Sequence, residues 1–276
     1  MFESPVKTRD LILFTFLSLM IIFFIFLSTF FDQRTKIVFC NVGQGDAAYI
    51  RIANKIDVLI DAGPNKSILS CLGKYMPFWD RKIELAFLSH PNSDHYKGYI
   101  DIIDRYKIDK FITVNTTNLI VSKTYKKLLQ KISEKNVPIL FKVAGDKIMI
   151  NNSQFIFYWP PINFNSNNDN DFSSIFIFKT LTFRALFTGD ASPFVLSRLS
   201  NNPLVKVDVL KIPHHGSKNG LTKKFLDLVN PTTAVISVGK NNSYGHPSKV
   251  VLDMLKAKNI NIKRTDEDGN VIFMIN

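Results

Sequence analysis

The sequence predicts an α/β fold in which sheets are covered by helices, preceded by one membrane-spanning helix. Short apolar β runs alternate with helical patterns through both halves of the 276-residue chain, an order that places helices on the faces of sheets. With 46% apolar residues, the chain is long enough to bury the core of one large domain. The one break in composition is "LILFTFLSLMIIFFIFLSTFF", Leu11 to Phe31, which carries no charge. As a helix, about 20 such residues cover the ~30 Å of a bilayer core.

That run ends in Phe30, Phe31 and Asp32 rather than in a small-residue cleavage site, so it reads as an uncleaved anchor. The anchor segment is 1–36, with its helix at about 11–31, and residues 37–276 form the domain. Lys7 and Arg9 on one side balance Arg34 and Lys36 on the other. The free N-terminal amine then favours a single-pass topology with the N-terminus inside and the domain on the extracytoplasmic side.

After the anchor, β runs are expected at 36–42, 47–52 and 55–63, then a helix around 66–75 and a strand at 84–89. A helix near 98–106, a strand at 110–115 and a helix from about 121 to 135 follow. The last of these carries Leu128, Leu129 and Ile132 on one face, and Pro138 closes the first half. The second half is expected to hold strands at 147–150, 154–159, 174–179 and 183–188, and a helix near 192–199. A strand at 207–212, a helix at 222–229, a strand at 233–238, a helix at 248–258 and strands at 260–264 and 271–275 complete it. Ile162 to Asp171 is a polar, Asn-rich loop.

The net charge of +12 lies almost wholly after residue 36. It fits a surface for phosphate-bearing polymers or lipid headgroups. It fits equally a compositional bias, because Lys far outnumbers Arg while Asn, Ile and Phe are abundant. Cys40 and Cys71 match no usual zinc spacing. Cys40, alternating with Val38 on a strand, reads as a small buried hydrophobe, or the two cysteines as a disulfide if the domain faces an oxidising compartment.

The five histidines, His90, His95, His214, His215 and His246, all fall where a strand has just ended or a helix begins, which is where ligands and catalytic groups collect. They belong to an ordered series: "DAG" (61–63), "HPNSDH" (90–95), "FTGDA" (187–191), "PHHGS" (213–217) and "YGHP" (244–247). In this order the sequence resembles the metallo-β-lactamase fold superfamily, which implies an αββα sandwich with one or two metals at its rim. "NVGQGDAAYI", "NDFSSIFI" ahead of "TGD", "IPHHGSKNG" and "YGHPS" narrow the resemblance to the C-terminal hydrolase domain of the ComEC-type DNA-uptake family. That family implies an extracytoplasmic, metal-dependent nuclease acting on DNA during competence. There the domain follows a bundle of membrane helices, whereas one helix precedes it here; the transport role is therefore left open, with a separate channel protein as a candidate partner.

The resemblance assigns residues. Asp94, His95, Asp190 and His215 match one metal position, with Asp190 placed to bridge to a second. The second position takes His90 and Asn92, and in most of the superfamily a further histidine, but no histidine lies between 95 and 214. ComEC-type sequences have an Asn/Ser segment there, here Asn170 and Ser173 within 170–174, and usually carry Asp where this chain has Asn92. An amide oxygen binds a hard cation more weakly than a carboxylate, so that position is weakened. One or two divalent ions are expected, Zn²⁺ or Mn²⁺ with Mg²⁺ as a further choice, because oxygen-rich ligation favours the harder ions.

Asp94, His246 and Lys218 are the candidates for direct catalytic roles, His246 as a proton donor and Lys218 as a phosphate contact. Asp61, His214 and Asp46 are expected behind the ligands, Asp61 either as a turn former or as a carboxylate that orients a histidine. "VGQGD" (42–46) reads as a tight hairpin turn or as a phosphate cradle. Alternatives to the nuclease are a hydrolase of another envelope phosphoester and a non-catalytic partner of a DNA channel.

Overall fold

The structure, a computed structural model, describes residues 7–116, 119, 121–200 and 206–276. Its first element, α1 (Thr8–Phe31), is long and apolar enough to cross a bilayer, and its Thr8–Ile25 stretch is not buried against the rest of the chain. At 1.5 Å per residue it extends about 36 Å.

Two seven-stranded sheets follow. The first half supplies β1 (Thr35–Phe39), β2 (Ala47–Ile52), β3 (Ile56–Ala62), α2 (Ser67–Tyr75), β4 (Lys82–Phe87), α3 (Ser93–Ile102), β5 (Lys107–Thr113), α4 (Lys123–Glu134) and β6 (Ile139–Phe141). The second half supplies β7 (Lys147–Ile150), β8 (Ser153–Trp159), β9 (Ile175–Lys179), β10 (Arg184–Phe187), α5 (Pro193–Leu199), β11 (Val209–Lys211), α6 (Lys223–Val229), β12 (Thr233–Ile236), α7 (Lys249–Lys256), β13 (Asn261–Arg264), α8 (Thr265–Asp268) and β14 (Val271–Ile275). Strand order is β14-β1-β2-β3-β4-β5-β6 in one sheet and β13-β12-β11-β10-β9-β8-β7 in the other. The last strand returns to the first sheet, pairing Thr35 with Ile275.

Three apolar layers result. Between the sheets lie Phe39, Phe87, Phe155, Phe157, Phe176 and Phe187, stacked or tilted at 4.9–6.1 Å. Outside the first sheet, α2, α3 and α4 bury Leu72, Tyr99, Leu128 and Ile132; outside the second, α5, α6 and α7 bury Leu196, Phe225 and Val251. Every residue of β2 is buried, as a strand covered on both faces must be. The fold is therefore the α/β sandwich that the alternating pattern predicts.

Local differences from the expected elements have identifiable causes. α3 begins at Ser93, behind Asn92, several residues before the expected start near 98. "HPNSDH" thus ends inside a helix, and Asp94 and His95 occupy its first turn. The short strand β6 escaped notice because three residues carry no period, and it exists through parallel pairing of Phe111 with Ile139 and its neighbours. Cys40 and Cys71 form a disulfide, joining the end of β1 to α2.

Strand direction decides where the site sits. β1, β3, β4 and β5 run the same way, as do β10, β11 and β12. Their C-terminal ends and the loops that follow carry Asp46, Asp61, His90, Asp190 and His215 to one pole. Lys36, Arg51 and Asp57, in register with one another, lie at the opposite pole where the chain leaves α1.

Candidate metal centre

At the first pole Asp94, His95, Asp190 and His215 each turn one ligand atom inward, and these atoms all lie within 4.8 Å of one another. His95 Nε2 is 3.3 Å from Asp190 Oδ1, and His215 Nε2 is 3.2 Å from Asp94 Oδ2 and 3.4 Å from Asp190 Oδ2. A tetrahedral shell with bonds of about 2.1 Å separates its ligands by about 3.4 Å.

The hydrogen bonds behind the histidines fix which nitrogen faces the centre. His215 Nδ1 lies 2.9 Å from Ser237 O, and a carbonyl only accepts, so Nδ1 carries the proton. His95 Nδ1 likewise donates to Asp61 Oδ2 at 2.9 Å. In the neutral rings both Nε2 lone pairs then point at carboxylate oxygens. Burial would lower both imidazoles, but Asp190 and Asp61 around His95, and Asp190 and Asp46 around His215, raise them well above the ordinary range. The field that would hold extra protons there is also one that attracts a cation. Among the described residues, His95 Nε2 and Asp190 Oδ1 are buried without a hydrogen-bond partner although they face each other. The donor set therefore fits a divalent ion.

Around the centre the chain is tightly constrained. Asp61 accepts from Ser89 N and Ser89 Oγ at 2.8 Å each, in addition to His95. Asp190 N donates to Ser173 Oγ at 3.0 Å, and Gly189, at φ +48°, lies where a Cβ would meet Ser89 Cβ at 3.0 Å and Ser173 Cβ at 3.1 Å. His214 and His215 themselves hold left-handed backbone, φ 51° and 53°, a conformation costing of order 1–3 kcal/mol that persists where surroundings impose it. "VGQGD" is an interlocking loop: Asp46 N donates to Asp94 O at 3.1 Å, and a Cβ on Gly45 would lie 2.3 Å from that same oxygen. Gln44 Oε1 accepts from Gly239 N.

The other expected residues take separate places. His90 is fully buried with Nδ1 3.0 Å from Ser89 Oγ and Nε2 without a partner; burial and the neighbouring His95 push it down to about 3. Asn92 Nδ2 donates to Asn170 Oδ1 at 2.9 Å, so these residues, distant in sequence, do meet. His214 Nε2 stands 3.9 Å from Asp190 Oδ2 at the edge of the centre, with the His246 ring 6.0 Å from its own. His246 stacks on the exposed Tyr244, and its Nδ1 is buried without a partner. Lys218 is exposed.

One buried charge beneath the centre is not among the residues the sequence singles out. Lys211, at the end of β11, is buried beneath the centre, ion-paired with Asp46 and bonded to Gly189 O at 3.1 Å. Burial would raise the Asp46 carboxyl, but Lys211, His215 and His95 outweigh it and hold it below the usual range. The signal was present in "VDVLKIPHHG": a lone charge inside an apolar strand is costly unless paired.

Comparison with known proteins shows the fold. No family model matches the chain. Its fold is the metallo-β-lactamase fold: it superposes on YhfI, a protein of that fold from Bacillus subtilis, with a TM-score of 0.61 at 10% identity over 87% of this chain and 99% of the other. CmlA, a diiron β-hydroxylase from Streptomyces venezuelae, gives 0.59 at 12% identity over 87% of this chain and 54% of that one. Zn²⁺-bound PqqB from Methylobacterium extorquens gives 0.55 at 9% over 83% and 87%. In sequence the chain is similar to ComE operon protein 3 of Bacillus subtilis, 28% identical over 271 residues, 92% of this chain and 34% of the relative. It is also similar to Recombination protein 2 of Haemophilus influenzae, 27% identical over 84% of this chain and 28% of the relative. The chain spans about a third of the length of these curated relatives.

Proposed function

We propose that this chain is a membrane-anchored, metal-dependent hydrolase that cuts phosphodiester bonds in DNA during competence-type DNA uptake. The observation that carries the reading is the convergence of Asp94, His95, Asp190 and His215 on one point, with both imidazole lone pairs aimed at carboxylates. The similarity to ComE operon protein 3 and to Competence protein ComA of Neisseria gonorrhoeae, 40% identical over 65 residues, supports the DNA-uptake context.

Asp94, His95, Asp190 and His215 would hold a Zn²⁺, Mn²⁺ or Mg²⁺ ion. When bound, that ion supplies Lewis acidity towards a phosphoryl oxygen and an activated water. Asp61 and Ser237 O keep the two imidazoles in the ligating tautomer. His90 and Asn92 would supply the weaker second position that the resemblance implies. His246 and His214, partly exposed beside the centre, would return a proton to the leaving oxygen. Lys218, on the exposed turn after His215, would contact a phosphate oxygen. The disulfide supports an extracytoplasmic domain, since such bonds persist in oxidising compartments.

The test is cleavage of single- and double-stranded DNA by the full chain in nanodiscs with Mn²⁺, against EDTA and His95→Ala controls. Cleavage lost in both controls is expected. Undiminished turnover by the His95→Ala protein overturns the mechanism. Hydrolysis of small phosphodiesters without DNA cleavage moves the substrate to another envelope phosphoester. A chain that binds no metal and copurifies with a channel protein is a non-catalytic partner.

A further inference from the structure

We propose that the pole of the domain opposite the metal centre rests on the bilayer that carries α1, inserting Phe78, Trp79 and Leu181 at the lipid interface and holding the centre at a fixed height above it. The strand directions begin the argument. The chain leaves α1 at Phe31 and enters β1 at Thr35, so the anchor joins the domain at the end of the sheets that lacks the metal ligands. Three features cluster at that end although nothing in their local sequence requires it.

The first is a pair of adjacent exposed aromatics in the turn before β4. Phe78 and Trp79 are 79% and 69% exposed, with their rings packed edge to face at 4.8 Å. Asp80 fixes this turn to the anchor end: it pairs with Arg51 at 3.2 Å, and Arg51 lies opposite Lys36 across β1 and β2. The second is Leu181, 84% exposed at the tip of the β9–β10 hairpin. A groove lined by Gln33, Thr35, Ile52, Leu181 and Asn276 shows that this tip, on the other sheet, borders the segment leaving α1.

The third is charge. Lys55, Arg81 and Lys107 are exposed at the same pole, where Asp80 pairs with Arg51, and Asp109 pairs with Lys82 and, at 4.0 Å, with Lys107. Trp side chains partition to the membrane interface, and basic side chains bind anionic headgroups. An aromatic turn on one sheet, a leucine tip on the other and the anchor itself give three points of support. The occupant is a lipid surface because the chain's own anchor brings one to this pole. The five steps of β3 from Ile56 to Asp61, at about 3.3 Å each, then lift Asp61 and the metal centre by roughly 17 Å. The inference does not depend on the reaction proposed above.

The chain has two tryptophans, and Trp159 is buried, so Trp159→Phe leaves Trp79 as the reporter. The full chain carrying Trp159→Phe is reconstituted in phosphatidylcholine–phosphatidylglycerol vesicles, with and without lipids brominated close to the headgroup. Blue-shifted emission and its loss on bromination are expected, together with a smaller loss when Phe78→Ser and Leu181→Ser are added. The same vesicles with a Trp79→Phe protein, which keeps Trp159, give the background by subtraction from wild type if Trp159→Phe does not fold. Trp79 emission open to acrylamide and indifferent to bromine overturns the proposal. Emission shielded from acrylamide yet indifferent to bromine also overturns it, because a protein then covers this pole.

Discussion

Replacing Asp61 with Asn removes one charge and almost no volume, and its effect on metal affinity follows from the bonds the carboxylate accepts. Asp61 Oδ1 receives Ser89 N, and Oδ2 receives both Ser89 Oγ and His95 Nδ1. The amide has one acceptor to place and must turn its NH₂ towards one of these donors. Ser89 N cannot give up its proton, whereas His95 can move its proton from Nδ1 to Nε2. The amide oxygen therefore settles on Ser89, and His95 presents N–H instead of a lone pair to the centre. Asn is also the right probe for the backbone, because Asp61 sits at φ +54°, a region Asn tolerates better than Ala does. Loss of such a partner costs about 10- to 100-fold in metal affinity, equivalent to about 1.4–2.8 kcal/mol. Co²⁺ or Mn²⁺ titration of the full chain in nanodiscs, by absorbance or calorimetry, reads it directly. An Asp61→Asn protein that unfolds at the wild-type temperature and binds metal with unchanged affinity would refute the reasoning.

Three further outcomes follow from the same structure. Lys211→Met strands the buried Asp46 carboxylate and is expected to cost about 3–5 kcal/mol in urea unfolding, partly restored by adding Asp46→Asn; a cost below about 1 kcal/mol would show that the pair is not needed. Reducing the Cys40–Cys71 bridge releases a 31-residue separation, worth about 3.7 kcal/mol in the loop-entropy account, so the midpoint should fall on adding dithiothreitol, and equal midpoints would contradict it. His90 titrates at about 3 in the folded chain and near its ordinary 6.5 when unfolded. Above pH 6.5 it has no effect. Below that only the unfolded chain takes up the proton, so stability falls as pH drops towards 3, by up to about 1.4 kcal/mol per pH unit. In chelator the His90→Gln protein should lose less stability than wild type between pH 7 and pH 5, and parallel losses would exclude this origin.

What the sequence by itself determined is local and periodic. The uncharged run from Leu11 to Phe31 specifies a helix long enough for a bilayer, because composition alone sets that property. Alternating β and helical runs specify a covered α/β sandwich, and histidines at strand ends mark the loops from which a site is built. What tertiary structure alone decided are the pairings across strands distant in the chain. His215 meets Asp94 across 121 positions, Asn92 meets Asn170, Asp61 orients His95, and Lys211 slides beneath Asp46. Face-to-face packing of the two sheets, with parallel register within each, brings these groups together, so no window of sequence contains them. The same register sends every ligand loop to one pole and leaves the exit from α1, with Phe78, Trp79 and Leu181, at the other.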